Sequence, residues 1–130
     1  MIKFLKSFFT KSTPIQLAPP QERKRNKRQR KTLESGRAEW YGDAILKFYT
    51  VKYLMETFPG LWSRDLADPG IMIITNKNLN NYAKHKNFNF GAPGVEKLIA
   101  KIYQESPEKA YSMVKEIADF SGEIAKLKKR

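Results

Sequence analysis

Residues 38–57 read AEWYGDAILKFYTVKYLMET, and no proline interrupts them until Pro59-Gly60. Apolar side chains recur there every three or four positions, the spacing of one face of an α-helix. The stretch therefore predicts a helix from about Arg37 to Thr57, ended by the Pro-Gly pair. On that reading Trp40, Tyr41, Ala44, Ile45, Phe48, Val51, Met55 and Phe58 face a core. A helix this long and this apolar commits the chain to helix-on-helix packing, and the remaining segments have to supply its partners.

They do so with the same periodicity. LWSRDLADPG reads as a connector closed by the turn Asp68-Pro69-Gly70. IMIIT, which follows, fits a short buried strand. It fits equally one helical face made of Ile71, Ile74, Leu79, Tyr82 and Ala83. FNFGAPG breaks the chain again, and a helix restarts near Pro93 with Val95, Leu98, Ile99, Ile102 and Tyr103 on one side. Ser106-Pro107-Glu108 is a further restart, with a capping hydroxyl, a proline at the first helical position and an acid in the first turn. Ala110, Tyr111, Val114 and Ile117 give that last helix its stripe, which Ser121-Gly122 loosens before AKLKKR. No repeat and no strand-rich region emerges, so the expected class is all-α.

Composition removes several chemistries. The 130 residues contain no cysteine and one histidine, which excludes disulfides, thiolate sites and His-rich metal clusters. His85 lies in the polar run KHKN and reads as an exposed residue. The net charge of +12 points to an anionic partner, and it is unevenly spread. Residues 1–31 hold ten Lys/Arg against the single acid Glu22, so the rest of the chain is only mildly basic.

That N-terminal quarter divides in two. In MIKFLKSFFTKS, wound as a helix, Lys3, Lys6, Ser7 and Thr10 form a polar face opposite Ile2, Phe4, Leu5, Phe8 and Phe9. A basic, acid-free amphipathic start resembles an organelle-targeting presequence. An interfacial membrane helix and a short docking helix are the alternatives, and the segment is too short and charged to span a bilayer. Residues 1–20 thus read as this segment plus a Pro-rich joint, and residues 21–35 as a basic arm, disordered or extended. In that arm Arg23, Lys24, Arg25, Lys27, Arg28, Arg30 and Lys31 can neutralise phosphates of RNA or DNA. A solvated charge run or a nuclear-import patch is the plain alternative. The folded domain then covers residues 36–120, with a basic tail at 121–130. Phe88 and Phe90, beside Lys84 and Lys86, are read as core filling rather than as base-stacking groups.

Glu39 and Asp43 stand one turn apart on the long helix, with Gly42 between them, and share a side of it. If the helix carrying Glu96 packs alongside, three carboxylates converge. Hard divalent cations such as Mg²⁺ take oxygen ligands of this kind, and beside a phosphodiester such an ion generates hydroxide and neutralises developing charge.

The block GDAIL, with an acid three residues before its glycine, resembles the metal-binding helix of the ribonuclease III family, E-x-x-E-F-L-G-D-A-h-L. ITNKNLNNYAKHKNF resembles a later helix of that family. GVEKLIAKIYQESPEKAYSMVKEI resembles its closing segment, and the three blocks are collinear over residues 36–118. The resemblance implies an all-α bundle that dimerises and uses Mg²⁺ to hydrolyse double-stranded RNA. It puts Glu39 and Asp43 on the last two acids of the first motif and Glu96 on the glutamate of the second. Two positions depart: the motif's first glutamate is Gly36 and the second motif's aspartate is Pro93. The family's opening helices have no counterpart in residues 1–35, one inter-helix stretch is shorter, and no double-stranded-RNA-binding domain follows.

The expectation is therefore a non-catalytic RNA-binding protein acting as a structural component of a ribonucleoprotein, the large subunit of the mitochondrial ribosome, in the mitochondrial matrix. Its partners would be RNA and proteins, the latter in the particle or in a homo- or heterodimer. The alternative is a minimal Mg²⁺-dependent endoribonuclease, similar to Mini-III enzymes, with Asp43 and Glu96 catalytic and Glu39 as a further metal ligand. A cytoplasmic or nuclear location is the alternative compartment.

Overall fold

The structure is a computed structural model that describes residues 27–130, with side-chain surroundings from residue 33 onward. The presequence-like segment, its joint, and Arg23, Lys24 and Arg25 lie outside the described residues. Six α-helices and no strand make up the described chain: α1 Lys27–Thr57, α2 Ser63–Ile73, α3 Asn76–His85, α4 Ala92–Glu105, α5 Pro107–Ser121 and α6 Glu123–Lys128. The expected class is the one found. None of the helices is long and apolar enough to cross a membrane.

α1 begins ten residues before the expected Arg37, so Lys27 to Ser35 extend it instead of forming an irregular arm. Lys, Arg, Gln, Leu and Glu dominate this stretch and are all good helix formers, and neither proline nor glycine interrupts it. Towards its C-terminal end α1 lies against α4, α5 and α2. α3 packs on α4 and α5, and α6 closes against α5 and α2. The core between them holds Leu46, Leu54, Ile73, Leu79, Tyr82, Val95, Ile99, Val114 and Ile117, all at 2% exposure or less.

α1 corrects the expected core. Tyr41, Ile45, Phe58 and, in addition, Leu46, Tyr49 and Leu54 pack inward. Trp40, Ala44, Phe48, Val51 and Met55 face out, with Trp40 at 72% and Phe48 at 63%. The helix is apolar on two faces, and one bundle can cover only one of them. Periodicity alone could not choose between the faces.

The region around Asp68-Pro69-Gly70 is the second correction. It is not a turn: α2 runs straight through it, with Pro69 inside the helix. A proline in the seventh position removes the bond to the carbonyl four residues earlier, a penalty that burial of Leu66 and Ile73 against the core offsets. The Asp65 carboxylate starts the helix by accepting the Trp62 backbone N–H at 3.1 Å. IMIIT is not a strand: residues 71–73 end α2, and Ile74 and Thr75 form the link to α3. α2 ends at Ile73, and Thr75 caps α3 by accepting the Asn78 N–H at 3.2 Å. Ile71 is therefore exposed while Ile73 is buried.

The last two restarts form as the sequence predicts. Asn80 Oδ1 accepts the Ala92 N–H at 2.7 Å to open α4, and Ser106 Oγ accepts the Lys109 N–H at 3.3 Å to open α5. Gly122, at φ 85°, turns the chain into α6. His85 is exposed, its ring 5.0 Å from that of Phe120. Phe88 packs on the core, and Phe90 stacks on it at 4.8 Å while keeping 38% exposure.

Candidate functional site: a carboxyl pair at a close helix crossing

α1 and α4 approach most closely at Gly42. A Cβ on that residue would fall inside the van der Waals envelope of the Glu96 carbonyl group. Glycine here is a condition of the crossing, and the crossing sets the geometry of the acids. With the two backbones this near, the Asp43 and Glu96 carboxyl groups meet at hydrogen-bonding range. Two ionised carboxylates only accept, so such a contact calls for a proton on one of them or a cation between them.

The shift towards the protonated form falls on Glu96. Desolvation at the helix interface, the hydrogen bond to Asp43, and the charges of Asp43 and Glu39 together raise its pKa from 4.5 to about 7. Two lysines answer the remaining negative charge. Lys47 Nζ lies 2.9 Å from Asp43 Oδ2 one turn along α1, and this contact holds the ammonium above its ordinary pKa. Lys97 Nζ approaches Glu39 Oε1 at 3.9 Å from α4. Tyr41 lies edge-on to Tyr103 at 6.0 Å behind the acids, its phenol pushed up to about 12 by burial and by its tyrosine neighbours. It stays neutral near pH 7 and offers no base.

The three acids singled out in the sequence thus occupy one helix crossing. Asp43 and Glu96 touch, while Glu39 acts on the pair through its charge. Pro93 sits in the first turn of α4, one turn before Glu96, and Gly36 lies exposed on α1 one turn before Glu39. Neither carries a donor. The oxygen donors present are of the type a hard divalent cation takes. In the arrangement found, however, no group of three His, Asp or Glu side chains among the described residues is placed to hold a metal ion. Two ammonium groups, those of Lys47 and Lys97, lie against the acids there.

Two members of the site have no place in the sequence reading. Lys47 could have been found, since it stands at i+4 from Asp43, a common helix ion-pair spacing. Lys97 had no comparable signal, because its partner is on another helix.

The proton on Glu96 makes stability depend on pH in a definite sense. The folded state keeps it up to about pH 7, whereas the unfolded chain releases it near 4.5. Between those values the native state binds more protons, so stability falls as pH rises, and it is level on either side. Thermal melts from about pH 5 to about pH 8 are expected to show a falling Tm for the native protein. Glu96→Gln should show a flatter profile and the higher Tm at the alkaline end. Parallel profiles for the two proteins would mean that Glu96 titrates normally.

The family model of the ribonuclease III domain matches residues 36–119, the span that contains every acid of this site. No curated protein and no solved structure matches the chain.

Proposed function

This chain belongs to the ribonuclease III domain family, and on that premise we propose that it binds RNA without cutting it. In this reading it is a structural component of a ribonucleoprotein, the large subunit of the mitochondrial ribosome. The observation that carries the proposal is the Lys47 ammonium at 2.9 Å from Asp43, an exposed cation from the next turn of α1 on the acid that a catalytic metal would need. Proline at residue 93 and glycine at residue 36 support it, since both remove donors from the positions where the family's motifs carry acids.

RNA is held through charge. Arg23, Lys24, Arg25, Lys27, Arg28, Arg30 and Lys31 reach phosphates, and Lys126, Lys128, Lys129 and Arg130 add a second basic cluster at the other end of the chain. Protein neighbours take the outer face of α1. Trp40, Ala44 and Phe48 lie at successive turns there and are exposed, an apolar stripe of the kind that marks a protein interface. The basic, acid-free N-terminus supports the mitochondrial address.

The test is a cleavage and binding assay on long double-stranded RNA with Mg²⁺ or Mn²⁺. The expected result is retention of RNA without fragments, by the native protein and by Asp43→Asn alike. Adding Mg²⁺ near pH 8, where Glu96 has largely released its proton, should leave the Tm of the native protein unchanged, because Lys47 keeps its place on Asp43.

A second reading rests on the contact between Asp43 and Glu96, the two acids a minimal Mg²⁺-dependent endoribonuclease would retain. Divalent-dependent fragments that disappear in Asp43→Asn would establish it and overturn the first.

A further inference from the structure

Trp62 is 71% exposed at the point where the chain leaves the Pro59-Gly60 break and enters α2. Its company sets it apart from the exposed aromatics of α1. Trp40 is followed at successive turns by Ala44 and Phe48, whereas Trp62 is surrounded by cations. The Arg64 guanidinium lies over the Trp62 ring, 5.9 Å from its centroid, in a cation–π arrangement. One Asp65 oxygen accepts the Trp62 backbone N–H at 3.1 Å, and the other lies 3.8 Å from the Arg130 guanidinium. That carboxylate ties the end of α6 to the start of α2 and brings the basic cluster beside the ring.

Lys126, Lys129 and Arg130 are spaced three and four apart, so they share one side of the last turn. Burial of Ile124 and Leu127 in the core keeps that side outward, and all three cations are exposed. Of the acids on the two helices, Asp65 faces Arg130 and Glu123 is held by Lys126 at 3.3 Å. Asp68, a turn further along α2, is the exposed one.

A large apolar ring left in water calls for a partner, and the charges around it decide which kind. Lysine is depleted at the centres of protein interfaces. A nucleic-acid strand, by contrast, presents phosphates and flat bases together, and this patch offers a match to both. Bases in a paired helix are stacked on one another and turn no face to an indole, whereas an unpaired base does. We infer that the patch holds an unpaired stretch of RNA, with one base stacked on Trp62 and the adjoining phosphates on Arg130, Lys129 and Lys126. The inference rests on the reading that this chain binds RNA, and deepens it. The N-terminal arm supplies the bulk of the attraction, and Trp62 adds a preference for single strands over duplex.

Binding of the full chain to two probes tests it, an oligouridine of about twenty nucleotides and a blunt duplex of the same length. Trp62→Ala should weaken oligouridine binding roughly tenfold or more and leave duplex binding within about twofold. Trp62→Phe should recover most of the loss, since a phenyl ring still offers a face. The slope of log affinity against log salt should be the same in Trp62→Ala as in the native protein, because no charge is removed. In Lys126→Gln with Lys129→Gln it should fall by about one unit. Bromouridine placed in the oligonucleotide should photocrosslink to Trp62. The Tm of Trp62→Ala should match the native value, as the side chain lies outside the core.

Equal oligouridine affinity in the native protein and Trp62→Ala would overturn the inference while leaving RNA binding by the arm in place. An equal loss on the duplex would overturn it as well, since the ring would then not distinguish unpaired bases. Failure of the native protein to bind either probe would remove the RNA reading together with it. If Trp62→Ala instead lost binding to phosphatidylserine vesicles and kept the oligouridine, the patch would be a membrane surface.

Discussion

Reversing the seven basic residues between Arg23 and Lys31 to glutamate is expected to abolish RNA association. Each neutralised phosphate contributes a little under one unit to the slope of log affinity against log salt, more on double-stranded than on single-stranded RNA. Giving up seven neutralised phosphates corresponds to a slope change of about five to six units, and to a loss of roughly a thousandfold or more near physiological salt. Reversal then adds repulsion to the loss. Filter binding or sedimentation with RNA over a salt series measures both quantities. The helical bundle should keep its Tm, because the replaced residues precede the packed part of α1. Unchanged RNA retention would show that the domain itself holds the RNA, and would remove the arm from the account.

Gly42→Ala is expected to be the most damaging single substitution in the bundle. Helix propensity alone predicts a gain, since alanine is better than glycine inside a helix by about 1 kcal/mol. The contact predicts a loss, because the added carbon lands on the Glu96 backbone carbonyl rather than on a movable side chain. Overpacking costs typically about 1–3 kcal/mol, and backbone obstacles lie at the upper end because they cannot rotate away. The contact wins. For a domain of this size the result is a fall in Tm of roughly 10 °C or more. It should carry a second signature, because moving α4 away separates Asp43 from Glu96 and returns Glu96 towards ordinary titration.

Gly36 provides the control on the same helix. A carbon added there meets nothing within 4 Å, so Gly36→Ala should follow propensity and raise stability by about 0.5–1 kcal/mol. If both substitutions stabilised, the α1–α4 crossing would have to be wider than described.

These two glycines also show what could be read in advance. Gly42 stood in the sequence inside the expected helix and Gly36 just before its expected start, and nothing local marked Gly42 as the essential one. The difference lies in α4, on the order of fifty residues further along the chain. The same holds for the acids. Glu39 and Asp43 were legible as a pair from their spacing, and Glu96 as a third acid on the condition that its helix packed alongside, but the raised pKa of Glu96 depends on a crossing no pattern specifies.

The fold was legible where local and tertiary preferences agreed. The starts near Pro93 and at Ser106 formed where expected because capping and burial point the same way there. At Asp68-Pro69-Gly70 they disagreed. Turn chemistry is a preference of a few residues, whereas Leu66 and Ile73 on either side had a core to join. On α1 the apolar pattern was too rich, and of Phe48 and Tyr49, adjacent in sequence, the first is exposed and the second buried.

The stripe of Trp40, Ala44 and Phe48 has a consequence for how such a protein is kept in the cell. On the proposal that this stripe is a protein interface, a newly made copy displays it until a neighbour covers it, and in that interval it resembles an unfolded chain to the quality-control machinery. On the same proposal, copies that assemble are shielded and surplus copies are left to chaperones and proteases. Its steady-state amount would then be set less by its own synthesis than by the supply of the subunit that covers the stripe.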